Sequence, residues 1–159
     1  MTNAALFFMI KVNRYSIVKG VCPLHITQES DYAIRIVYCL AKSGARRDAR
    51  SISEEMCVTL RFSLKILGKL AASGIANSYK GNRGGYELAH SPSEVNLKDV
   101  ITAVEGPYHL SRCTQDGVCN RGASGTCAFQ QVFRKLSDEI NEKLEKVNFQ
   151  MLLDGNLDF

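Results

Sequence analysis

The sequence predicts a mainly α-helical fold with one small β-hairpin and a long C-terminal helix. Three observations support this prediction. Two helix patterns with their own caps lie about three residues apart, a glycine-rich turn separates two short alternating segments, and an apolar stripe with helical spacing fills the C-terminal part of the chain. With 159 residues and 45% hydrophobic content, the chain can bury one domain-sized core.

The first two helices are predicted from their caps. After Thr27, apolar residues recur at three- and four-residue intervals until Gly44, which is a typical stop signal, so a first helix is expected between these two residues. Ser51 begins the sequence SISE, in which Glu54 stands three residues later and completes a capping box. A short second helix should therefore run from Ser51 to Cys57 or Val58.

A third helix and a hairpin follow. Thr59 can cap RFSLKILGKLAAS, whose buried side is expected to carry four apolar residues: Leu64, Ile66, Leu67 and Leu70. The turn residues GNRGG then separate segments 75–79 and 86–89, which alternate weakly and should pair as a hairpin. A helix-turn-helix followed by a hairpin forms a winged helix.

The C-terminal part is predicted to mediate assembly. After a short helix over 97–104, apolar residues from Phe129 to Met151 follow helical spacing over roughly six turns. A single long helix cannot bury such a stripe, so we expect it to pack on the same helix of a second subunit. The predicted organisation is a disordered leader or extension over 1–24, a winged-helix DNA-binding domain over 25–92, and a short helix, cysteine loop and dimerisation helix over 93–159.

Positive charge is concentrated on the third helix and the wing. The net charge is only +4, but every charged residue from Arg61 to Tyr86 is basic. Arg61 and Lys65 share one helix face and could reach base edges or phosphates in a major groove. Lys80 and Arg83 flank the wing tip and could enter the minor groove. Together with the winged helix, this pattern predicts double-stranded DNA as a partner.

Three of the six cysteines lie in one glycine-rich loop, CTQDGVCNRGASGTC. Cys113, Cys119 and Cys127 have the spacing C-x5-C-x7-C, which suits zinc, copper(I) or an iron–sulfur cluster without choosing among them. Cys39 and Cys57 are instead expected to be buried apolar residues within helices. Half of the cysteines lie outside this loop, and the chain is long enough to fold without disulfides, so we predict a cytoplasmic protein. The sequence contains no recognisable catalytic set and no apolar run long enough for a membrane span, so we predict neither enzymatic activity nor a membrane partner.

The motifs together resemble a known family. ITQESDYAIRIVYCLA, SISEEMCVTLRFSLKILGKLAASGIANSYKGNRGGYELA and LKDVITAVEG before a three-cysteine loop are similar to the bacterial Rrf2-type winged-helix transcriptional regulators, the IscR-, NsrR- and RirA-like proteins. The resemblance begins near Ile26, continues through the long helix, and is most specific in the wing signature over 74–88. It implies a homodimer that binds a pseudo-palindromic operator.

The resemblance also implies an iron–sulfur cluster, of two-iron or four-iron type, held by Cys113, Cys119 and Cys127. IscR-like members use a histidine three residues after the third cysteine, where this chain has Gln130. NsrR-like members use an aspartate near the start of the first helix, reached from the other subunit, and Asp31 matches it. Asp31 is therefore the expected fourth ligand, with Glu29 and His109 as alternatives.

For DNA contacts, the resemblance points to Thr59, Arg61, Ser63 and Lys65 on the third helix and to Lys80 on the wing, with Arg83 as an additional cation. The expected function is a transcriptional regulator, normally a repressor, that senses iron, redox state or nitric oxide through the cluster. Two alternatives remain open: a metal-free winged-helix regulator controlled by a thiol or a partner protein, and a cluster-carrier or electron-transfer protein.

Overall fold

The computed structural model describes residues 26–81 and 83–156, so the predicted leader over 1–24 lies outside the described residues. The fold is mainly helical with a two-stranded antiparallel sheet, as predicted. In chain order the elements are α1 Gln28–Ser43, α2 Ala49–Glu55, α3 Leu60–Ala72, β1 Ala76–Tyr79, β2 Gly85–Leu88, α4 Leu97–Glu105, α5 Arg112–Gln115, α6 Ala128–Lys146 and α7 Phe149–Asp154. None of the helices in these ranges is long and apolar enough to cross a membrane.

The caps of α1 agree with the sequence, whereas the predicted cap of α2 is wrong. The Thr27 side chain accepts a hydrogen bond from the Ser30 N–H, and Gly44 ends α1 in the left-handed conformation. Helix α2 begins at Ala49, and its N-cap is Asp48, whose carboxylate accepts from the Ser51 N–H at 3.0 Å. Asp48 offers a charged acceptor to the positive end of the helix, so the helix starts before the SISE motif.

Helix α3 buries a different set of residues from the predicted one. Ile66, Leu67 and Leu70 are completely buried, but Leu64 is 45% exposed and Ser63 is completely buried. The helical period explains this, because residues three, four and seven positions after Ser63 share its face, whereas Leu64 is rotated by about 100° away from it. The prediction of a buried Leu64 is therefore wrong.

The two cysteines predicted to be buried in helices lie in different environments. Cys39 is buried on α1, and burial raises the pKa of its thiol. Cys57 is exposed, because α2 ends at Glu55 and Cys57 falls in the turn before α3. Its backbone is left-handed, with φ of 54°, which is an uncommon conformation for a non-glycine residue.

The wing is a short hairpin that is also tied to the loop before α2. Strands β1 and β2 pair in a register that places Ala76 opposite Leu88 and Tyr79 opposite Gly85. Tyr86 exchanges two backbone hydrogen bonds with Arg47, at 2.7 and 2.8 Å. A Cβ at Gly85 would lie 2.6 Å from the Arg47 carbonyl oxygen, so this close approach requires glycine.

The predicted single C-terminal helix is broken into α6 and α7. Val147 is extended, and the Asn148 side chain caps α7 by accepting from the Met151 N–H at 2.9 Å. Phe149 is completely buried, and its N–H donates to the Val95 carbonyl at 3.0 Å. Burial of the Phe149 ring and this backbone pairing offset the helical hydrogen bonds lost at the break.

One core cluster unites most of the fold. It contains residues of α1 and α3 together with Val95, Val100, Val104 and Phe149. Helix α7 packs on α1, so the end of the described chain returns to the helix that begins it. The boundary between 92 and 93 stays a prediction, but residues from both sides of it share this core.

Candidate DNA-binding surface and cysteine loop

The start of α3 and the tip of the wing carry the residues of the candidate DNA-binding surface. The predicted contact residues Thr59, Arg61, Lys65, Lys80 and Arg83 are all exposed. Arg61 and Lys65 stand one turn apart on α3, and Lys80 and Arg83 stand at the two ends of the hairpin turn. These side chains are therefore available to a polyanion in solvent.

Ser63 does not belong to this surface, although the sequence predicted it as a DNA contact. Its side chain is 0% exposed, and within the described part of the chain its hydroxyl has no hydrogen-bond partner. A hydroxyl sealed inside the core cannot reach DNA. The prediction of a Ser63 contact is corrected on this ground.

Arg46 supports the wing, and the sequence analysis did not single it out. Its guanidinium lies 3.4 Å from the centre of the Tyr79 ring and 3.4 Å from a Glu87 carboxylate oxygen, and it also donates to the Arg83 carbonyl. The Tyr79 hydroxyl donates to Glu87 at 2.6 Å, and this hydrogen bond raises the pKa of Tyr79. The only sequence signal for Arg46 was its position in the charged segment ARRDAR.

The acidic residues at the start of α1 are engaged with cations. Asp31 pairs with Arg35 at 2.6 Å, and both side chains are roughly half exposed. Glu29 instead pairs with Lys65 at 3.2 Å and with Lys69 at 2.7 Å. The adjacent Lys69 ammonium is the main cause of a lowered Glu29 pKa.

The loop cysteines occupy three different backbone positions. Cys113 lies in α5, Cys119 in the following turn, and Cys127 at the N-cap of α6; all three are half-buried and carry no disulfide. The backbone N–H of Ala123, followed by that of Arg121, lowers the pKa of the Cys119 thiol. Within the described ranges, no three His, Cys, Asp or Glu side chains converge as a metal-binding group. The three predicted thiol ligands therefore do not converge within these ranges, and the contact with Asp31 of a second subunit stays a prediction.

Polar residues on one face of α6 hold the backbone of the cysteine loop and of the segment just before it. The buried Gln130 amide donates to the Cys113 carbonyl at 2.8 Å and accepts from the Gly125 N–H at 2.9 Å. The Ser137 hydroxyl accepts from the Leu110 N–H at 3.0 Å, and Asn141 donates to the Tyr108 carbonyl at 2.9 Å. We call Gln130, Ser137 and Asn141 the polar ladder. It fixes the loop by its main chain and leaves the loop side chains unengaged by these bonds.

Sequence reasoning missed the polar ladder because it counted apolar residues along α6. The signal was present, since residues 130, 137 and 141 are separated by seven and four positions and share one helix face. Gln130 also occupies the position where the resemblance led us to consider a histidine ligand. Both ends of its amide are used by backbone groups, so it acts here as a structural connector.

The other face of α6 carries the predicted apolar stripe, and its N-terminal half is exposed. Four large apolar side chains are solvent-accessible there: Phe129, Val132, Phe133 and Leu136, with exposures of 65, 53, 38 and 41%. A contiguous exposed apolar face of this kind usually marks an interaction site.

Comparison with known proteins agrees with this architecture. Residues 26–155 match the model of the Rrf2 family, described as an iron-dependent transcriptional regulator. An HTH-type transcriptional regulator of Neisseria meningitidis is 26% identical over 133 residues, covering 82% of this chain and 88% of that protein. The HTH-type transcriptional regulator IscR of Escherichia coli is 27% identical over 139 residues, covering 82% of this chain and 85% of the relative.

Solved structures show the same fold. IscR of T. potens has a TM-score of 0.66 and 20% identity, covering 84% of this chain and 88% of that one. CymR, the global cysteine regulator of B. subtilis, has a TM-score of 0.66 and 21% identity, covering 82% and 97%. The family consists of transcriptional regulators, which confirms the predicted non-enzymatic class. The match over residues 26–155 and the winged-helix architecture establish that the chain belongs to the Rrf2 family of DNA-binding transcriptional regulators.

Proposed function

We propose that this regulator is a cytoplasmic homodimeric repressor that binds a pseudo-palindromic operator and senses iron, redox state or nitric oxide through an iron–sulfur cluster. The proposed ligands are Cys113, Cys119 and Cys127, with Asp31 of the second subunit in the fourth position. The observation that carries the proposal is the placement of three half-buried thiols on a loop that the polar ladder fastens to α6. The family description as an iron-dependent regulator supports it.

The chemistry of the donor set fits such a group. Soft thiolate ligands favour iron–sulfur clusters, and the backbone N–H groups around Cys119 favour its thiolate form. The three thiols do not converge in the described structure, so binding would require the loop to close further. When bound, the cluster would supply a centre sensitive to oxidants and to iron supply.

For DNA binding, we propose that α3 lies in a major groove and the wing tip follows the adjacent minor groove. The contacts would come from the exposed residues of this surface: Thr59, Arg61, Lys65, Lys80 and Arg83. Arg61 is placed to read bases, since its guanidinium can form bidentate hydrogen bonds with guanine. Lys80 can neutralise a phosphate but lacks this fork.

The second subunit would pack on the exposed apolar face of α6, from Phe129 to Leu136. That face belongs to the same helix that holds the cysteine loop and the segment before it through Gln130 and Ser137. A change in loop conformation would therefore act directly on the helix that sets the angle between two DNA-reading heads. Half-site spacing would be the quantity that such a change alters.

Anaerobic purification tests the cluster. We expect a coloured protein that contains iron and acid-labile sulfide, and we expect Cys119→Ala to lose the visible absorbance. Cys57→Ala is the matched control, because this cysteine is exposed but lies outside the loop, and the variant should keep the colour. A colourless wild-type protein that contains zinc would contradict the proposal.

A metal-free regulator controlled by thiol oxidation or by a partner protein is the second candidate. The specific observation in its favour is that the loop thiols, within the described residues, do not converge on one point. This candidate would be preferred if colourless protein, free of iron and zinc, still changed its DNA affinity after treatment with an oxidant.

A further inference from the structure

One carboxylate, that of Glu29, is shared by two lysines of the DNA-facing helix. Its Oε2 lies 3.2 Å from the Lys65 Nζ, and its Oε1 lies 2.7 Å from the Lys69 Nζ. The Glu29 side chain is only 20% exposed, whereas that of Lys65 is 54% exposed. An ion pair at the edge of the protein therefore joins the first turn of α1 to α3.

The two lysines are held to different degrees. Lys69 also donates to the Val104 carbonyl at the end of α4, so its ammonium is fixed by two elements. Lys65 has the Glu29 contact and a Phe62 ring 5.4 Å from its Nζ, and its stem remains in solvent. Lys69 thus anchors the carboxylate, and Lys65 is the cation that can exchange Glu29 for another anion.

The same corner contains a second contact between α1 and α4. The Ser30 hydroxyl donates to the Glu105 carboxylate at 2.8 Å, one residue after Val104. The Ser30 contact therefore links the first turn of α1 to the end of α4, and the Lys69 contact holds the Glu29 carboxylate beside α3. The carboxylate would stay close to the proposed DNA surface after Lys65 has moved away.

We propose that Glu29 holds Lys65 in an intramolecular ion pair and so weakens binding to non-specific DNA. Non-specific affinity comes almost entirely from lysine and arginine contacts with phosphates, so occupying one such cation reduces it. A specific complex gains base contacts that can fix α3 in place and let a phosphate displace Glu29 from Lys65. Displacing Glu29 costs the free energy of the ion pair in that complex as well, so the carboxylate lowers the affinity for DNA in general.

The test measures binding of the full-length protein to a random-sequence DNA duplex by fluorescence anisotropy over a range of salt concentrations. For Glu29→Gln we expect the slope of log K against log salt to steepen by about 0.9 per subunit, because one more phosphate is neutralised. Between 50 and 200 mM salt its affinity should therefore fall by an additional factor of roughly three per subunit. Glu145→Gln is the matched control: it also frees a lysine, Lys98 at 2.8 Å, but this lysine belongs to α4 and not to α3 or the wing, and the slope should stay unchanged.

A second variant keeps the proposal testable if Glu29→Gln folds poorly. Lys65→Gln alone should leave the slope on random DNA nearly unchanged, because Glu29 already occupies this lysine. A full loss of about 0.9 per subunit in Lys65→Gln would overturn the proposal. Weaker binding by Glu29→Gln, or an equal steepening in Glu145→Gln, would also overturn it.

The inference rests on the proposed placement of α3 against DNA. The variant Arg61→Ala distinguishes a failure of that placement from a failure of the role of Glu29 alone. If Arg61→Ala weakens binding while the Glu29 and Lys65 variants behave contrary to expectation, only the role of Glu29 fails. If Arg61→Ala also binds like the wild type, both the placement of α3 and the role of Glu29 are overturned.

Discussion

Replacing Ser63 by alanine should stabilise the protein without affecting DNA binding. The Ser63 hydroxyl is completely buried on α3 and has no hydrogen-bond partner in the part of the chain that the structure describes. Leaving a buried polar group unsatisfied costs about 1 to 3 kcal/mol. Alanine also favours a helix over serine by about 0.5 kcal/mol. Against this, the lost packing of one atom costs up to roughly 1 kcal/mol, so we expect a net gain of about 1 kcal/mol.

Urea denaturation followed by circular dichroism measures the stability, and fluorescence anisotropy with duplex DNA measures the binding. Ser63→Ala should shift the unfolding midpoint to higher urea at an unchanged m-value and should bind DNA like the wild type. Arg61→Ala provides the contrast, since Arg61 is exposed on the same helix and should weaken binding. A loss of stability of more than about 1 kcal/mol in Ser63→Ala would show that the hydroxyl is bonded. A loss of DNA binding equal to that of Arg61→Ala would show that it reaches the surface.

Two further predictions concern the C-terminal part. In metal-free protein, Gln130→Ala should speed hydrogen exchange at the Gly125 N–H and alkylation of the Cys113 thiol, because the Gln130 side chain loses its contacts with both backbones. Gln150→Ala is the control and should have neither effect. Unchanged protection of the Gly125 N–H in Gln130→Ala would contradict the role of Gln130. Phe149→Ala should lower the free energy of unfolding by about 3 to 5 kcal/mol, because its ring is completely buried. Phe129 is 65% exposed in the single chain, so at concentrations that disfavour self-association Phe129→Ala should lower the free energy of unfolding much less than Phe149→Ala does. Equal losses in the two variants would refute the placement of α7.

Local signals explain which parts of the fold were predictable from the sequence. Helix α1 begins after Thr27 and ends at Gly44 as expected, because a cap is a contact between residues close in sequence. The hairpin was likewise predictable, since the residues of GNRGG suit only a tight turn. In α2, the SISE motif led us to expect Ser51 as the cap, whereas Asp48, three residues earlier, caps the helix.

Features that depend on distant residues were not predictable in this way. The break at Val147 follows from backbone pairing with Val95 and Leu97, which lie about fifty residues earlier, while the apolar spacing alone favours a continuous helix. Ser63 was assigned to the DNA surface by its position in a motif, although its helix face is the one shared by Ile66 and Leu70. The contacts of the polar ladder were not predictable because its partners are backbone groups, which every residue has and which therefore leave no signal in the sequence.

The polar ladder has a consequence for how the proposed sensor segment can diversify. Its four hydrogen bonds end on the backbone of Tyr108, Leu110, Cys113 and Gly125, so they survive any substitution in the loop that tolerates the same path. The reactive side chains between these points can be exchanged without removing the attachments that shape the segment. A regulator built in this way can acquire a new chemical signal by mutation while its scaffold and its connection to the reading head stay in place.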